Sequence, residues 1–212
     1  LIADTSVGSL STLDRIFDGF IFESETSDLT TADYGDATGP IDVSLSSEIS
    51  VVTGDISVGT DTLFGIEKII GTNFADNFSA DPTFSGTFSL FNEFDGGGGD
   101  DFISGNGQTR ISYLNADAGV FVDGRAGIAR GREDGDAAGI GTDTFEHVGS
   151  IRGSNFDDVL LNGGSVVRGE RGDDYIDRAQ RVDYRNSPEG VHVDLSTGVA
   201  QDGFGGTDTI LY

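Results

Sequence analysis

The sequence predicts an all-β fold built from stacked repeats, and three observations support this class. One long sequence unit occurs in three partial copies, which is typical of solenoid proteins whose units pack on their neighbours. Apolar and polar residues alternate after a tyrosine in each copy, which indicates strands with one buried face. The 33 Gly, and the excess of 28 Asp over nine Glu, favour turns over helices.

The three tyrosines define the units. The first apolar residue of each alternating segment follows its tyrosine by seven positions, and the tyrosines lie 79 and 71 residues apart. The segments are Tyr34 with Ile41, Val43 and Leu45, Tyr113 with Val120 and Val122, and Tyr184 with Val191, Val193 and Leu195. We divide the chain into an irregular N-terminal segment or cap, 1–33, and a β-solenoid, 34–212, with units 34–112, 113–183 and the partial unit 184–212. Equivalent tyrosines are expected to pack in the core.

A shorter pattern occurs seven times: a Gly or Phe, an Asp two positions later, and a bulky apolar residue two positions after that. Because glycine permits a sharp turn, the pattern predicts a turn, then an Asp, then an apolar side chain that points into the core from a short strand. The copies are Gly59-x-Asp61-x-Leu63, Phe74-x-Asp76-x-Phe78, Gly99-x-Asp101-x-Ile103, Gly141-x-Asp143-x-Phe145, Phe156-x-Asp158-x-Leu160, Gly172-x-Asp174-x-Ile176 and Gly206-x-Asp208-x-Ile210.

Stacked copies of this turn are expected to form oxygen-rich metal sites. Strands stack about 4.8 Å apart, so carboxylates would line up beside turn carbonyls. Ca²⁺ accepts six to eight oxygen ligands in irregular geometry. Asp101 and Asp174 are the strongest candidates because a second Asp and a Gly-rich turn accompany each, although an Asp beside a Gly also serves as a turn former. The predicted ligand residues are Asp61, Asp76, Gly96, Gly98, Asp100, Asp101, Asp143, Asp158, Gly169, Asp173, Asp174 and Asp208.

Charge and composition exclude several functions. The net charge of -25 argues against nucleic-acid binding, which needs clustered Lys and Arg, and it favours neutralisation by a divalent cation. Ten arginines follow Asn106, and we interpret them as local partners of crowded Asp rather than as a contact surface for a polyanion. The chain lacks cysteine and any apolar run of about 20 residues, so thiolate sites and a membrane span are not expected. No nucleophile has a recurring base, and we expect no enzymatic activity.

Three segments resemble the calcium-binding repeats of RTX (haemolysin-type) proteins. Gly96–Ser104 fits the nonapeptide repeat of that family, and Gly59–Phe78 and Val182–Ile210 are similar to the degenerate units of large secreted members. The resemblance implies a right-handed parallel β-roll or β-helix, Ca²⁺ in the turns, and type I export to the cell surface or medium without a cleaved N-terminal signal. Only one nonapeptide is regular, so we expect a few irregular sites rather than continuous rows of ions.

These patterns together predict a calcium-binding structural or adhesive β-solenoid segment of a secreted or cell-surface bacterial protein, such as an adhesin or a surface layer. Expected partners are calcium, flanking repeats or a second copy, and possible surface polysaccharide. Two alternatives stay open. The chain is alternatively an accessory RTX module of a secreted polysaccharide-acting enzyme or protease, or a tandem of small antiparallel β-sandwich domains whose units fold alone.

Overall fold

The computed structural model describes residues 16–17, 20–21, 29–86 and 89–211, and throughout these residues the chain is all-β. None of them belongs to a helix that is long and apolar enough to cross a membrane. The strands are β1 (Ile16–Phe17), β2 (Phe20–Ile21), β3 (Thr31–Asp33), β4 (Ile41–Leu45), β5 (Ser50–Gly54), β6 (Thr60–Leu63), β7 (Lys68–Ile70), β8 (Asn77–Ala80), β9 (Asn92–Asp95), β10 (Phe102–Ser112), β11 (Val120–Asp123), β12 (Ile128–Gly131), β13 (Thr142–Arg152), β14 (Val159–Leu161), β15 (Val166–Arg168), β16 (Tyr175–Asp177), β17 (His192–Asp194), β18 (Val199–Gln201) and β19 (Thr207–Leu211).

Strands β1 and β2 form a separate antiparallel pair, and the other seventeen strands belong to one open mixed sheet. Part of this sheet is a purely parallel ladder, which we call the first ladder. Its neighbouring strands are, in order, β3, β7, β9, the C-terminal half of β10, the C-terminal half of β13, and β15. The central residues of these strands are in register and fully buried: Ala32, Ile69, Phe94, Ile111, Ile151 and Val167.

The second ladder mixes parallel and antiparallel pairs. Its order is β6, β5, β4, β8, β10, β13, β12, β11, β14, β16, β19, β18, β17. Strands β10 and β13 are 11 residues long and take part in both ladders. Each of them contains a residue with a left-handed backbone, Gly107 (φ 85°) in β10 and His147 (φ 55°) in β13, where the register between the two strands shifts. Phe78 and Phe94, one from each ladder, pack with ring centroids 5.1 Å apart.

Each unit opens with the same three-stranded antiparallel group. The groups are β4–β6, β11 with β12 and the start of β13, and β17–β19. In every group the Gly-Thr-Asp-Thr segment lies in the last strand. The prediction that the apolar residue of the shorter pattern points into the core is confirmed at all seven copies, where these side chains are at most 7% exposed: Leu63, Phe78, Ile103, Phe145, Leu160, Ile176 and Ile210.

The third unit departs from the predicted strand burial. The alternating residues after Tyr34 and Tyr113 are buried, but those after Tyr184 are not. Val193 and Leu195 are 41% and 61% exposed because β17 pairs only with β18 in the described part of the chain. In the earlier units the equivalent strand has a parallel neighbour on its other side: β8 pairs with β4, and β14 pairs with β11.

The predicted cap, 1–33, lies mostly outside the described residues, and its last part, Thr31–Asp33, is a strand of the first ladder. The alternative of tandem β-sandwich domains does not fit the strand pairings. Parallel pairs link the units to each other, as in β10 with β13 over most of their length. Such pairs make each unit depend on its neighbour for burial of its core face.

Candidate functional site

Three buried aspartates of the first two units form a continuous chain of hydrogen bonds, which we call the first aspartate ladder. It consists of Asp76, Asp101 and Asp143, each at most 2% exposed. The Oδ1 atom of each accepts a hydrogen bond from the backbone N–H of the residue on the neighbouring strand. The donors are Ile41 to Asp76 at 2.8 Å, Asp76 to Asp101 at 2.8 Å, and Asp101 to Asp143 at 3.1 Å. The carboxylates of the first aspartate ladder therefore connect four neighbouring segments of the second ladder of strands along one line.

The same arrangement occurs again in the second and third units. The second aspartate ladder consists of Asp158, Asp174 and Asp208, which are also buried. The backbone N–H of Val120 donates to Asp158 at 2.8 Å, that of Asp158 to Asp174 at 2.9 Å, and that of Asp174 to Asp208 at 3.1 Å. Two ladders with matching donors show that the sequence repeat produces a structural repeat at this site.

The first carboxylate of each ladder has polar partners at both oxygens. Thr72 donates to Asp76 through its backbone N–H at 2.6 Å and through its hydroxyl at 2.9 Å. Ser154 holds Asp158 in the same way, with both bonds at 2.7 Å. Each hydroxyl residue precedes its Asp by four positions, and the turn between them brings the two side chains together.

The last carboxylate of each ladder lies beside a unit tyrosine. The Tyr184 hydroxyl donates to Asp208 Oδ2 at 2.7 Å, and buried Tyr113 lies next to Asp143. Burial and the charge of Asp143 raise the pKa of Tyr113 well above its ordinary value. Tyr113 therefore packs in the core, as expected, whereas Tyr184 is only half-buried, and both tyrosines place a phenol against a carboxylate.

The middle carboxylates, Asp101 and Asp174, differ from the others. Their Oδ2 atoms are buried and accept no hydrogen bond from any residue that the structure describes. Each Oδ2 lies against a glycine, Gly96 and Gly169 respectively, so closely that a methyl group added at either glycine would overlap the oxygen. An unpartnered buried carboxylate oxygen is costly, so each middle position needs a proton or a cation.

Burial and mutual repulsion raise the pKa values of the ladder carboxyls. The pKa of Asp101 rises to about 9 through burial and the nearby charge of Asp143, and that of Asp174 rises to about 9 through burial and Asp158. Burial raises the pKa of Asp143 and of Asp158 to about 7, because their hydrogen bonds offset part of the effect. The middle positions are thus the most unfavourable places for an uncompensated negative charge.

The structure brings together six of the nine predicted aspartates and leaves three outside the ladders. Asp61 lies on β6, before Asp76 in the chain, and accepts a hydrogen bond from the Tyr34 hydroxyl at 3.1 Å. Asp100 and Asp173 are exposed and accept from backbone N–H groups of Thr142 and Thr207, at 2.8 and 2.7 Å. These two exposed carboxylates therefore connect neighbouring chain segments on the solvent side of the sheet. Gly98 donates its N–H to the Thr72 carbonyl at 2.9 Å.

Sequence reasoning missed the hydroxyl residues and the role of the tyrosines. Thr72 and Ser154 occupy the same place in the two Gly-x-Asn-Phe-x-Asp segments, so a recurring hydroxyl four positions before a recurring Asp was the available signal. For the tyrosines, the available signal was that each unit pairs one tyrosine with one Gly-Thr-Asp-Thr segment. Each tyrosine lies beside an Asp that follows it by 24 to 30 residues. Strand register brings the two together, and the sequence pattern alone does not give that register.

Among the described residues, no group of three or more His, Cys, Asp or Glu side chains converges closely enough to hold a metal ion. Any cation at the ladders would therefore depend on backbone carbonyls and water for most of its ligands. A comparison of the sequence with models of protein families found no match, and a comparison with curated proteins found none either.

Proposed function

We propose that this chain is a calcium-binding structural or adhesive segment of a secreted or cell-surface bacterial protein, without catalytic activity of its own. The observation that carries the proposal is the pair of buried, unpartnered Oδ2 atoms of Asp101 and Asp174. A solenoid of the β-roll type agrees with the two ladders of strands, and crossovers between parallel strands of one sheet are right-handed in about 98% of cases.

The donor chemistry of the ladders fits Ca²⁺ better than other metals. All of the candidate ligands are oxygens, and the chain has no cysteine. Asp101 with the turn at Gly96 and Gly98 would hold one ion, and Asp174 with the turn at Gly169 another. Ca²⁺ tolerates an irregular set of one carboxylate, backbone carbonyls and water, whereas Mg²⁺ requires a stricter octahedron. A bound cation would supply the positive charge that these buried carboxylates lack.

Calcium binding of this kind would couple folding to the extracellular space. An ion that binds only the folded state stabilises it by mass action, and the effect grows with the ion concentration. In a calcium-poor cytosol the repelling carboxylates leave the chain less stable, which suits export without a cleaved N-terminal signal. In the calcium-rich medium the ladders are neutralised and the segment becomes rigid.

The exposed side chains on and beside β17 support the proposal that a partner binds at this edge of the sheet. Val193 and Leu195 are exposed there, whereas the equivalent Val43 and Leu45 are buried and their strand, β4, pairs with β8. An uncovered strand with apolar residues is a template for pairing with another strand. A flanking repeat or a second copy of the chain would cover it and continue the ladder.

Thermal unfolding followed by circular dichroism tests the calcium proposal. We expect Ca²⁺ at about 100 times its Kd to add roughly 2.7 kcal/mol relative to a chelator, which raises the Tm by about 5–10 °C. Mg²⁺ should have a smaller effect. The variant Asp174→Asn keeps an oxygen that accepts the bond from Asp158 but removes the charge, and it should lose much of the response to Ca²⁺.

The matched control is Asp134→Asn, which removes the same charge from an exposed residue and should respond to Ca²⁺ like the wild type. A wild-type Tm that is the same in chelator, Ca²⁺ and Mg²⁺ would refute calcium binding. An equal loss of response in both variants would show that Ca²⁺ acts only through overall charge.

A further inference from the structure

Half of the twelve basic residues of this acidic chain line a single groove on the outer face of the first ladder. The groove has a volume of about 770 Å³, within the range of ligand sites in proteins. We call it the basic groove and define it by its basic lining residues: Lys68, Arg110, Arg152, Arg168, Arg181 and Arg185. This concentration is unexpected for a chain with a net charge of -25.

Strand register explains why these side chains meet. Within each strand of the first ladder the central residue points into the core, so its two neighbours point to the opposite face. Arg152 and Arg168 are direct partners in the pairing of β13 with β15. Lys68 and Arg110 lie in one row on either side of Glu93. Adjacent strands stack about 4.8 Å apart, so the cations follow one another along the groove.

Ion pairs account for only part of the positive charge. Glu93 pairs with Lys68 at 3.0 Å and also with Arg110. Glu170 Oε1 accepts from Arg152 Nε at 2.6 Å.

Asp183 pairs with both Arg168, at 3.3 Å, and Arg185, at 2.8 Å. Arg181 is exposed and has no ion-pair partner among the described residues. Glu93, Glu170 and Asp183 pair with five of the six cations, and buried Asp95 lies near Lys68 and Arg152. Six cations therefore face four acids, and the groove keeps a net positive charge. Burial and the neighbouring Arg110 lower the pKa of Arg168, as expected where guanidinium groups crowd together.

Apart from Glu93 and the apolar Leu29 and Val166, the rest of the lining is polar and uncharged, with one aromatic ring. Hydroxyl and amide groups come from Thr31, Gln108, Ser150, Ser165 and Asn186. The Arg110 guanidinium lies over the Phe91 ring, 5.0 Å from its centroid. Hydroxyls and amides suit a ligand rich in hydroxyl groups, and an aromatic ring offers an apolar surface to a sugar ring.

We propose that the basic groove binds a short stretch of an acidic polysaccharide that carries carboxylates. Arginine binds a planar carboxylate through two parallel hydrogen bonds, and successive cations along the groove match a ligand with one carboxylate per sugar. A nucleic acid is disfavoured because only one aromatic ring lines the groove, whereas sites for single-stranded nucleic acids offer aromatic rings on which successive bases stack. The inference rests on the adhesive role proposed above but not on calcium binding, and it revises the interpretation of the arginines as partners of Asp alone.

Isothermal titration of the full chain with an oligogalacturonate tetrasaccharide tests the proposal, with a neutral glucan tetrasaccharide of the same length as the comparison. We expect binding of the acidic ligand only, and weaker binding at higher salt because the contacts are ionic. The variant R181Q/R185Q changes two exposed side chains at the groove and leaves Arg168 paired with Asp183. We expect its Kd for the acidic ligand to rise by about tenfold.

The variant R125Q/R178Q is the matched control, since it removes two exposed arginines outside the groove and should bind like the wild type. Equal weakening in both variants, binding of the neutral glucan, or tighter binding of a single-stranded DNA oligonucleotide would each overturn the proposal. Circular dichroism of the same samples, in Ca²⁺ and in chelator, separates the two hypotheses. A folded chain in Ca²⁺ that does not bind refutes the groove, whereas a Tm indifferent to Ca²⁺ refutes only the metal sites.

Discussion

Without divalent cations, the stability of this protein should fall as the pH rises from about 5 to about 8. In the native state the middle carboxyls, Asp101 and Asp174, have pKa values of about 9, against 3.8 for an ordinary Asp. Between pH 3.8 and about pH 9 the native state therefore binds more protons than the unfolded state. By linkage, the free energy of unfolding then decreases with increasing pH.

The magnitude follows from the number of extra protons. Each proton held only by the native state changes the free energy of unfolding by about 1.4 kcal/mol per pH unit, so the two middle carboxyls contribute at most about 2.7 kcal/mol per pH unit. Asp143 and Asp158, with pKa values of about 7, add to this slope below pH 7. Relaxation and water penetration around buried carboxyls reduce such effects, and we expect about 1–2 kcal/mol per pH unit. Carboxyls whose hydrogen bonds lower their pKa, such as Asp123 and Asp183, act in the opposite direction but only near and below pH 3.8.

Urea unfolding in a chelating buffer at constant ionic strength measures this slope. The double variant Asp101→Asn/Asp174→Asn carries no titrating group at the middle positions, so its stability should depend less on pH over the same range. Stability that stays constant or increases from pH 5 to pH 8 in the wild type would refute the reasoning. An unchanged slope in the double variant would show that other groups cause it.

Three further changes test how the ladders and the edge strand contribute. Tyr184→Phe removes the hydroxyl that donates to Asp208 and should lower the free energy of unfolding by about 1–3 kcal/mol, measured by urea unfolding. Gly169→Ala places a methyl group onto Asp174 Oδ2 and should cost at least 2 kcal/mol or prevent folding, measured by thermal unfolding. Leu195→Ser should reduce concentration-dependent self-association in sedimentation velocity, because it removes an exposed apolar side chain beside β17.

Each of these variants has a control that changes the same atoms elsewhere. Tyr175→Phe alters an exposed phenol that donates to no carboxylate of either aspartate ladder, Gly190→Ala adds a methyl group into open space, and Ile56→Ser changes a fully exposed apolar residue. All three should behave like the wild type. A control that is as damaging as its partner variant would remove the support for the corresponding contact.

The all-β class and the inward apolar residues were accessible from the sequence because they depend on local periodicity. Alternation predicts which face of a strand is buried, and the spacing from Asp to the apolar residue predicts where Phe78 or Ile176 points. The pairing partners were not accessible. Whether β8 lies beside β4 or beside β6 depends on how the antiparallel group folds back, and no residue pattern within β8 encodes that choice.

The contacts between the predicted aspartates follow from the stacking of equivalent turns, whereas their role as metal ligands stays a prediction. Stacking of equivalent turns correctly placed Asp76, Asp101 and Asp174 near neighbouring strands. Spacing alone did not distinguish a carboxylate that accepts backbone N–H groups from one with a free oxygen. That difference arises because Thr72, four positions before Asp76, donates to it. The same position before Asp101 is Gly97, which has no side chain, and before Asp174 it is Glu170, which pairs with Arg152 instead.

The three-stranded antiparallel groups also bear on how the chain selects its strand partners during folding. In a stack of identical short coils, a strand that skips one coil meets the same pattern of side chains, and the mistake costs little. Here each unit contains strands that pair with their immediate sequence neighbours, such as β4 with β5, through short connections. Local pairs of this kind form quickly, before distant strands meet. Each group therefore fixes the start of its unit, and a shift by one coil would require breaking strand pairs that have already formed.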